Sequence, residues 1–101
     1  MFVATCEMDI LLGDVHSLKE KRAVVQPIVR DLRRRFDVAA AETEHQDLHR
    51  RAQVTVAAVS GEASHARRVA EACEDWVSGL PEITVVGARR RLFGGDDEGV
   101  R

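Results

Sequence analysis

The segment 2-FVATCEMDILL-12 decides how the rest of the chain is read. Phe2, Ala4, Cys6, Met8, Ile10 and Leu12 fall on one side of an extended backbone, and Val3, Thr5, Glu7, Asp9 and Leu11 on the other. Alternation with period two over this length predicts a long strand with one face buried and the other largely polar. Such a strand cannot bury its own apolar side. It needs sheet neighbours and a covering layer, and the sequence downstream has to supply both.

It does so in a regular order. Gly13-Asp14 breaks the strand, and Ser17 opens a helix in which Leu18, Val25, Ile28, Val29, Leu32 and Phe36 recur at helical spacing. Ser17 with Glu20 makes the pattern of a capping box. Pro27 lacks an N–H and its ring presses on the carbonyl of Ala23, so a kink is expected there. Val38–Ala41 predicts a short second strand, and Glu42–Arg50 a polar connection with room for a helical turn. Gln53–Val59 (QVTVAAV) is a third strand ended by Ser60-Gly61. Glu62–Ser78 is a second amphipathic helix burying Ala66, Val69, Ala70, Cys73, Trp76 and Val77, stopped by Gly79 and Pro81. Ile83–Leu92 is a fourth strand, and residues 94–101 are expected to form a flexible C-terminal tail.

The order β-α-β-β-α-β predicts an α+β, ferredoxin-like sandwich: a four-stranded antiparallel sheet with two helices on one face, a single domain over residues 1–93. Right-handed crossovers place the first and third strands at the centre. A chain of 101 residues, 45% apolar and 32% charged with the two kinds interleaved, suits one modest core and excludes bulk disorder. No apolar run approaches the ~18 residues that would span a membrane, and the first residues do not read as a signal peptide. Cys6 and Cys73 form no metal-like or redox-like pair motif. A cytoplasmic protein is expected.

The formal net charge of −2 hides an uneven distribution. Between Asp14 and Phe36 seven Lys/Arg face three acids, while Asp96-Asp97-Glu98 and others restore the balance. The segment 16-HSLKEKR-22 puts Lys19, Lys21 and Arg22 at a helix start, where the backbone dipole is already positive. At ~100° per residue, Lys19, Arg22, Gln26, Arg30 and Arg33 share one stripe beside the apolar one. Cations near free N–H groups suit an anion, and Lys and Arg that position phosphates without reading bases suit a nucleic acid. The alternative is a solvated helix face partly neutralised by Glu20 and Asp31.

Other residues point to less. Arg89-Arg90-Arg91 ends a strand expected at a sheet edge, where charges discourage aggregation, and alternation sends Arg90 to the opposite face from its neighbours. The open sheet face offers Thr5, Glu7 and Asp9, and the chain has no Tyr, so base stacking on that face is disfavoured. His45 and His49 have ligand spacing only if their segment is helical, and nothing nearby closes a metal site. No cofactor is implied. Cys6 and Cys73 sit on inward faces as small hydrophobes, Ser17 is a cap, and no catalytic constellation emerges, so an enzyme is not expected.

The stretches HSLKEKR, DLRRRFDVAAAE, QDLHRRAQVTVAAVS and ITVV together resemble the YlxP-like family, a bacterial family of unknown function, from Met1 to about Phe93. The matching positions are His16, Ser17, Leu18, Lys19, Lys21 and Arg22, then Arg34, Arg35, Phe36, Ala41 and Glu42, then Gln46, Asp47, Leu48, Arg51 and Ala52. The resemblance implies a ferredoxin-like fold. It also implies a setting, because relatives are often encoded beside genes for a translation initiation factor and ribosome-binding factor A. His49, where relatives commonly carry an aromatic residue, and Pro27 depart from the family pattern. The expected function is therefore a non-enzymatic accessory protein that binds ribosomal RNA or a ribosomal subunit, with Ser17 organising the helix start and Lys19, Lys21, Arg22, Arg30 and Arg33 on phosphates. The rival is a protein-interaction module or homodimer using the open sheet face or an edge strand, with Val3, Leu11, Val86 and Leu92 as candidate contacts.

Overall fold

The computed structural model describes residues 1–95. In chain order the elements are β1 (Phe2–Leu12), α1 (Leu18–Phe36), β2 (Ala39–Glu44), β3 (Arg51–Ser60), α2 (Ala63–Ser78) and β4 (Ile83–Gly94). They form one antiparallel sheet in the order β2-β3-β1-β4, so β1 and β3 are central, with both helices on one face. This is the ferredoxin-like α+β arrangement.

The alternation in β1 does what its sequence requires. Ala4, Cys6, Met8, Ile10 and Leu12 are buried, and β3 answers with Ala52, Val54, Val56 and Ala58. From the helices, Val25, Ile28, Val29 and Leu32 meet Ala66, Ala70, Cys73 and Val77 over that floor. Small residues on α2 let it lie close to the two central strands. Phe36 and Trp76 pack edge-to-face between the helices at 6.2 Å between ring centroids, and the Arg35 guanidinium sits 5.2 Å from the Trp76 ring centroid.

Ser17 caps α1: its hydroxyl accepts from Glu20 N–H at 3.1 Å. The reciprocal bond is displaced by one residue, since Glu20 Oε1 accepts from His16 N–H at 2.8 Å rather than from Ser17. Ser17→Ala should lower stability by about 1 kcal/mol, read as a fall in urea midpoint at unchanged slope. Pro27 does not end the helix, which runs through it to an Asp37 cap in the left-handed conformation. The carbonyl of Ala23, deprived of its helical donor, belongs to an exposed residue where water can serve it.

The second strand is longer than its expected span and shifted. It extends to Glu44, with a bulge between Glu42 and Glu44 against β3, and the connection that follows is a turn rather than a helical segment. That removes the geometry in which His45 and His49 would share a helix face. The fourth strand also runs further, to Gly94, where a Cβ would lie 2.1 Å from the Met1 carbonyl oxygen. Only glycine fits that approach, and Gly95 N–H then donates to the same carbonyl at 3.2 Å. The rest of the expected tail, including Asp96-Asp97-Glu98, lies outside the described residues.

Candidate functional site

The basic stripe of α1 runs alongside the edge strand β2, and the structure sorts its cations into two kinds. Lys19, Arg22 and Arg30 are exposed. Among the described residues neither Lys19 nor Arg22 has a carboxylate within ion-pair reach, and Arg30 touches only its neighbour Asp31, at 3.7 Å. From Lys19 to Arg30 the stripe extends about 16 Å along the helix, at ~1.5 Å per residue. Between it and β2 lies an open groove of about 540 Å³, lined by Val25, Gln26, Val29, Arg30, Arg33, Ala41 and Glu42.

The other two predicted cations are structural. Lys21 is only 2% exposed. Its ammonium donates to the His45 carbonyl and lies 2.7 Å from Glu42 Oε2, an ion contact that lacks hydrogen-bond alignment. Lys21 therefore ties the first turns of α1 to the end of β2 and cannot reach a phosphate. The expectation that it binds RNA is corrected on that ground: helical phase turns it inward, where Glu42 neutralises it. Arg33 is exposed, but its Nε and Nη2 both donate to the Ala40 carbonyl, at 3.0 and 2.7 Å. It pins the C-terminal half of α1 to β2, with its remaining guanidinium edge free. Lys21 and Arg33 thus tie α1 to β2 and the turn after it at two points.

Glu42 is the residue that sequence reasoning missed. The signal was present in 39-AAAETE-44, because Glu42 follows Ala40 by two and so shares its inward face. At the start of α1, His16 is bound to Asp14 at 2.8 Å, and His49 lies with Val15, Arg50 and Arg51 on the neighbouring surface. Arg50 Nε donates to the Val15 carbonyl at 3.4 Å, joining the β1–α1 and β2–β3 connections. Among the described residues no group of three or more His, Cys, Asp or Glu is arranged to hold a metal ion. No helix among them is long and apolar enough to cross a membrane.

The Arg89–Arg91 run splits as alternation requires. Arg90 turns to the helical side, where its Nε meets Glu74 Oε1 at 2.8 Å, while Arg89 and Arg91 stand on the open face beside Glu7 and Thr5. Glu74 also accepts from Cys6 Sγ at 3.5 Å. Burial and then the Glu74 carboxylate push the Cys6 thiol up to about 12, and burial pushes Cys73 up to about 11, both from an ordinary value of 9.0. Neither is a nucleophile at neutral pH. The unfolded chain releases these protons first, so the contribution of the two thiols to stability is constant below about pH 9 and falls as pH rises towards 11–12. In urea titrations between pH 8 and about 10.5, a Cys6→Ala/Cys73→Ala variant should lose most of that slope.

A family model described as "Protein of unknown function (DUF503)" matches residues 3–90. The chain belongs to this family. The "Uncharacterized protein YlxP" of Bacillus subtilis (strain 168) is 30% identical over 91 residues, covering 90% of this chain and 99% of the relative. The DUF503 match takes in both helices and ends within β4, so the stripe, the groove and the Lys21–Glu42 pair all lie inside it.

Proposed function

We propose that this DUF503 domain is a non-enzymatic RNA-binding accessory protein of ribosomal particles, and that its contact surface is the α1 stripe with the adjoining groove. The observation that carries the reading is the set of exposed cations, Lys19, Arg22 and Arg30, spaced along one line on a helix whose other two stripe-adjacent cations hold it against β2. About 16 Å of helix is long enough to lie across several backbone phosphates. Such a line reads backbone shape and charge, not base edges, and it needs no aromatic platform. Gln26 lies within the line and adds an uncharged donor. The ribosomal setting is supported by the gene neighbours that YlxP-like relatives often have.

The reading predicts a steep dependence on salt. With three cations on phosphates, log affinity for a structured RNA should fall against log salt with a slope of about −2 to −3. Fluorescence anisotropy with a labelled ribosomal RNA fragment, across a range of potassium chloride concentrations, measures it. A slope near zero would remove the reading.

A further inference from the structure

The sheet face away from the helices is uncovered, and its side chains are arranged in rows across the strands. Val59, Val3 and Phe93 make one row at one end, with Val59 71% and Phe93 50% exposed. The next row holds Ala39, Ala57, Thr5 and Arg91, then Ala41, Thr55, Glu7 and Arg89, then Glu44, Gln53, Asp9 and Gly87. With Arg51 beyond them, the face carries three arginines and three acids. Among the described residues none of these six makes an ion pair within its own chain. The absent side chain of Gly87 leaves a depression bordered by Glu7, Asp9, Glu44 and Arg89.

We infer that this face is the interface of a homodimer, built on a two-fold axis that runs parallel to the strands between β1 and β3. That axis lays β1 of one copy over β3 of the other and β4 over β2. Residues that are cross-strand neighbours in one chain then become stacked partners between chains. Val3 meets Val59, Glu7 meets Thr55, and Asp9 meets Gln53, so an apolar row faces an apolar row and the Asp9 carboxylate faces the Gln53 amide N–H, whose oxygen already accepts from Thr43. The long side chains of Arg91 and Arg89 come over Ala39 and Ala41, where the small residues leave room, and Arg89 lies next to Glu44 of the other copy. Such an interface is isologous, since every contact occurs twice.

Size and spacing agree with this arrangement. Four strands about 4.8 Å apart and about 30 Å long offer on the order of 600 Å² before side-chain relief is counted. That is close to the ~800 Å² per partner of a stable dimer and is reached only when the whole face is covered. Two aligned sheets pack about 10 Å apart, a gap that Val, Thr and Arg stems fill. The other candidate for self-association, the free edge of β4, carries Arg89–Arg91 and a bulge at Val86, where β4 takes two steps against the single step from Asp9 to Ile10, and both oppose edge pairing. Leu92, which pairs with Ala4 on the helical side, is unavailable to either surface. The inference is independent of RNA binding, because α1 lies on the opposite side of the sheet.

Sedimentation equilibrium of the full chain over a wide concentration range tests it, with Val59→Asp, Arg89→Glu and Arg89→Glu/Glu44→Arg variants whose fold is checked by circular dichroism. The expected result is a concentration-dependent mass approaching twice 11.2 kDa. Each single variant should weaken association by about tenfold or more, and the charge-swapped double variant should regain most of it. A monomer at every concentration would overturn the proposal, as would a dimer indifferent to all of these substitutions. A monomer whose open-face amide resonances move on adding ribosomal RNA would also overturn it, and would give the face to nucleic acid.

Discussion

Lys21→Met should lower the unfolding free energy by about 3 kcal/mol, the largest effect expected from any single change outside the apolar core. Methionine fills the same channel, so the loss is not one of volume. It arises because the Glu42 carboxylate, 21% exposed, is left without the ammonium 2.7 Å away, and the His45 carbonyl loses one of its two donors, with Leu48 N–H remaining. Breaking a buried pair typically costs 3–5 kcal/mol, and the partial exposure of Glu42 places this case at the lower end. For a domain of this size the change corresponds to a drop in melting temperature of about 12–24 °C. The double variant Lys21→Met/Glu42→Leu should recover most of the loss, since two apolar side chains leave no orphaned charge. Urea unfolding of the four proteins in this cycle measures the coupling. A single-variant loss below about 1 kcal/mol would mean that the pair is solvated and does not hold α1 to β2.

Charge reversal of the exposed stripe should do the opposite: leave the fold alone and abolish RNA binding. Lys19→Glu/Arg22→Glu/Arg30→Glu replaces exposed side chains, so stability should change by less than about 1 kcal/mol. Glu at the start of α1 even suits the helix dipole better than the Lys and Arg it replaces. Binding, in contrast, should fall by at least about a hundredfold at 100 mM salt, because three attractions to phosphates become three repulsions. Arg33 is deliberately left in place. Its two bonds to the Ala40 carbonyl make Arg33→Glu a test of packing as much as of binding. An affinity unchanged in the triple variant would move the binding surface elsewhere.

Most of the fold was legible because its elements carry strong periods. Eleven alternating residues in β1 and a continuous apolar stripe in α1 and α2 leave few other arrangements, and the β-α-β-β-α-β order does the rest. The errors lie where tertiary contact decides. The sequence predicts an end to β2 at Ala41 because Glu42-Thr43-Glu44 has the composition of a polar loop, yet pairing with β3 and the Lys21 contact keep it extended. Gly94 looked like the start of a tail, and its backbone instead packs against Met1. For the candidate site, helical phase placed Lys19, Arg22 and Arg30 on one line correctly. Phase alone could not say that Lys21 has a partly buried carboxylate waiting for it, nor that Arg33 would bend onto a strand carbonyl. Both facts depend on where β2 lies, which no residue of α1 encodes.

The central claim is that α1 carries this domain to ribosomal RNA. Cosedimentation with ribosomal subunits through a sucrose cushion, at low and at high salt, tests it most directly, with the folded Lys19→Glu/Arg22→Glu/Arg30→Glu variant run in parallel. The account predicts that the native chain pellets with particles at low salt and is released at high salt, and that the variant stays in the supernatant throughout. A native chain that never pellets, or a variant that pellets equally well, would contradict it.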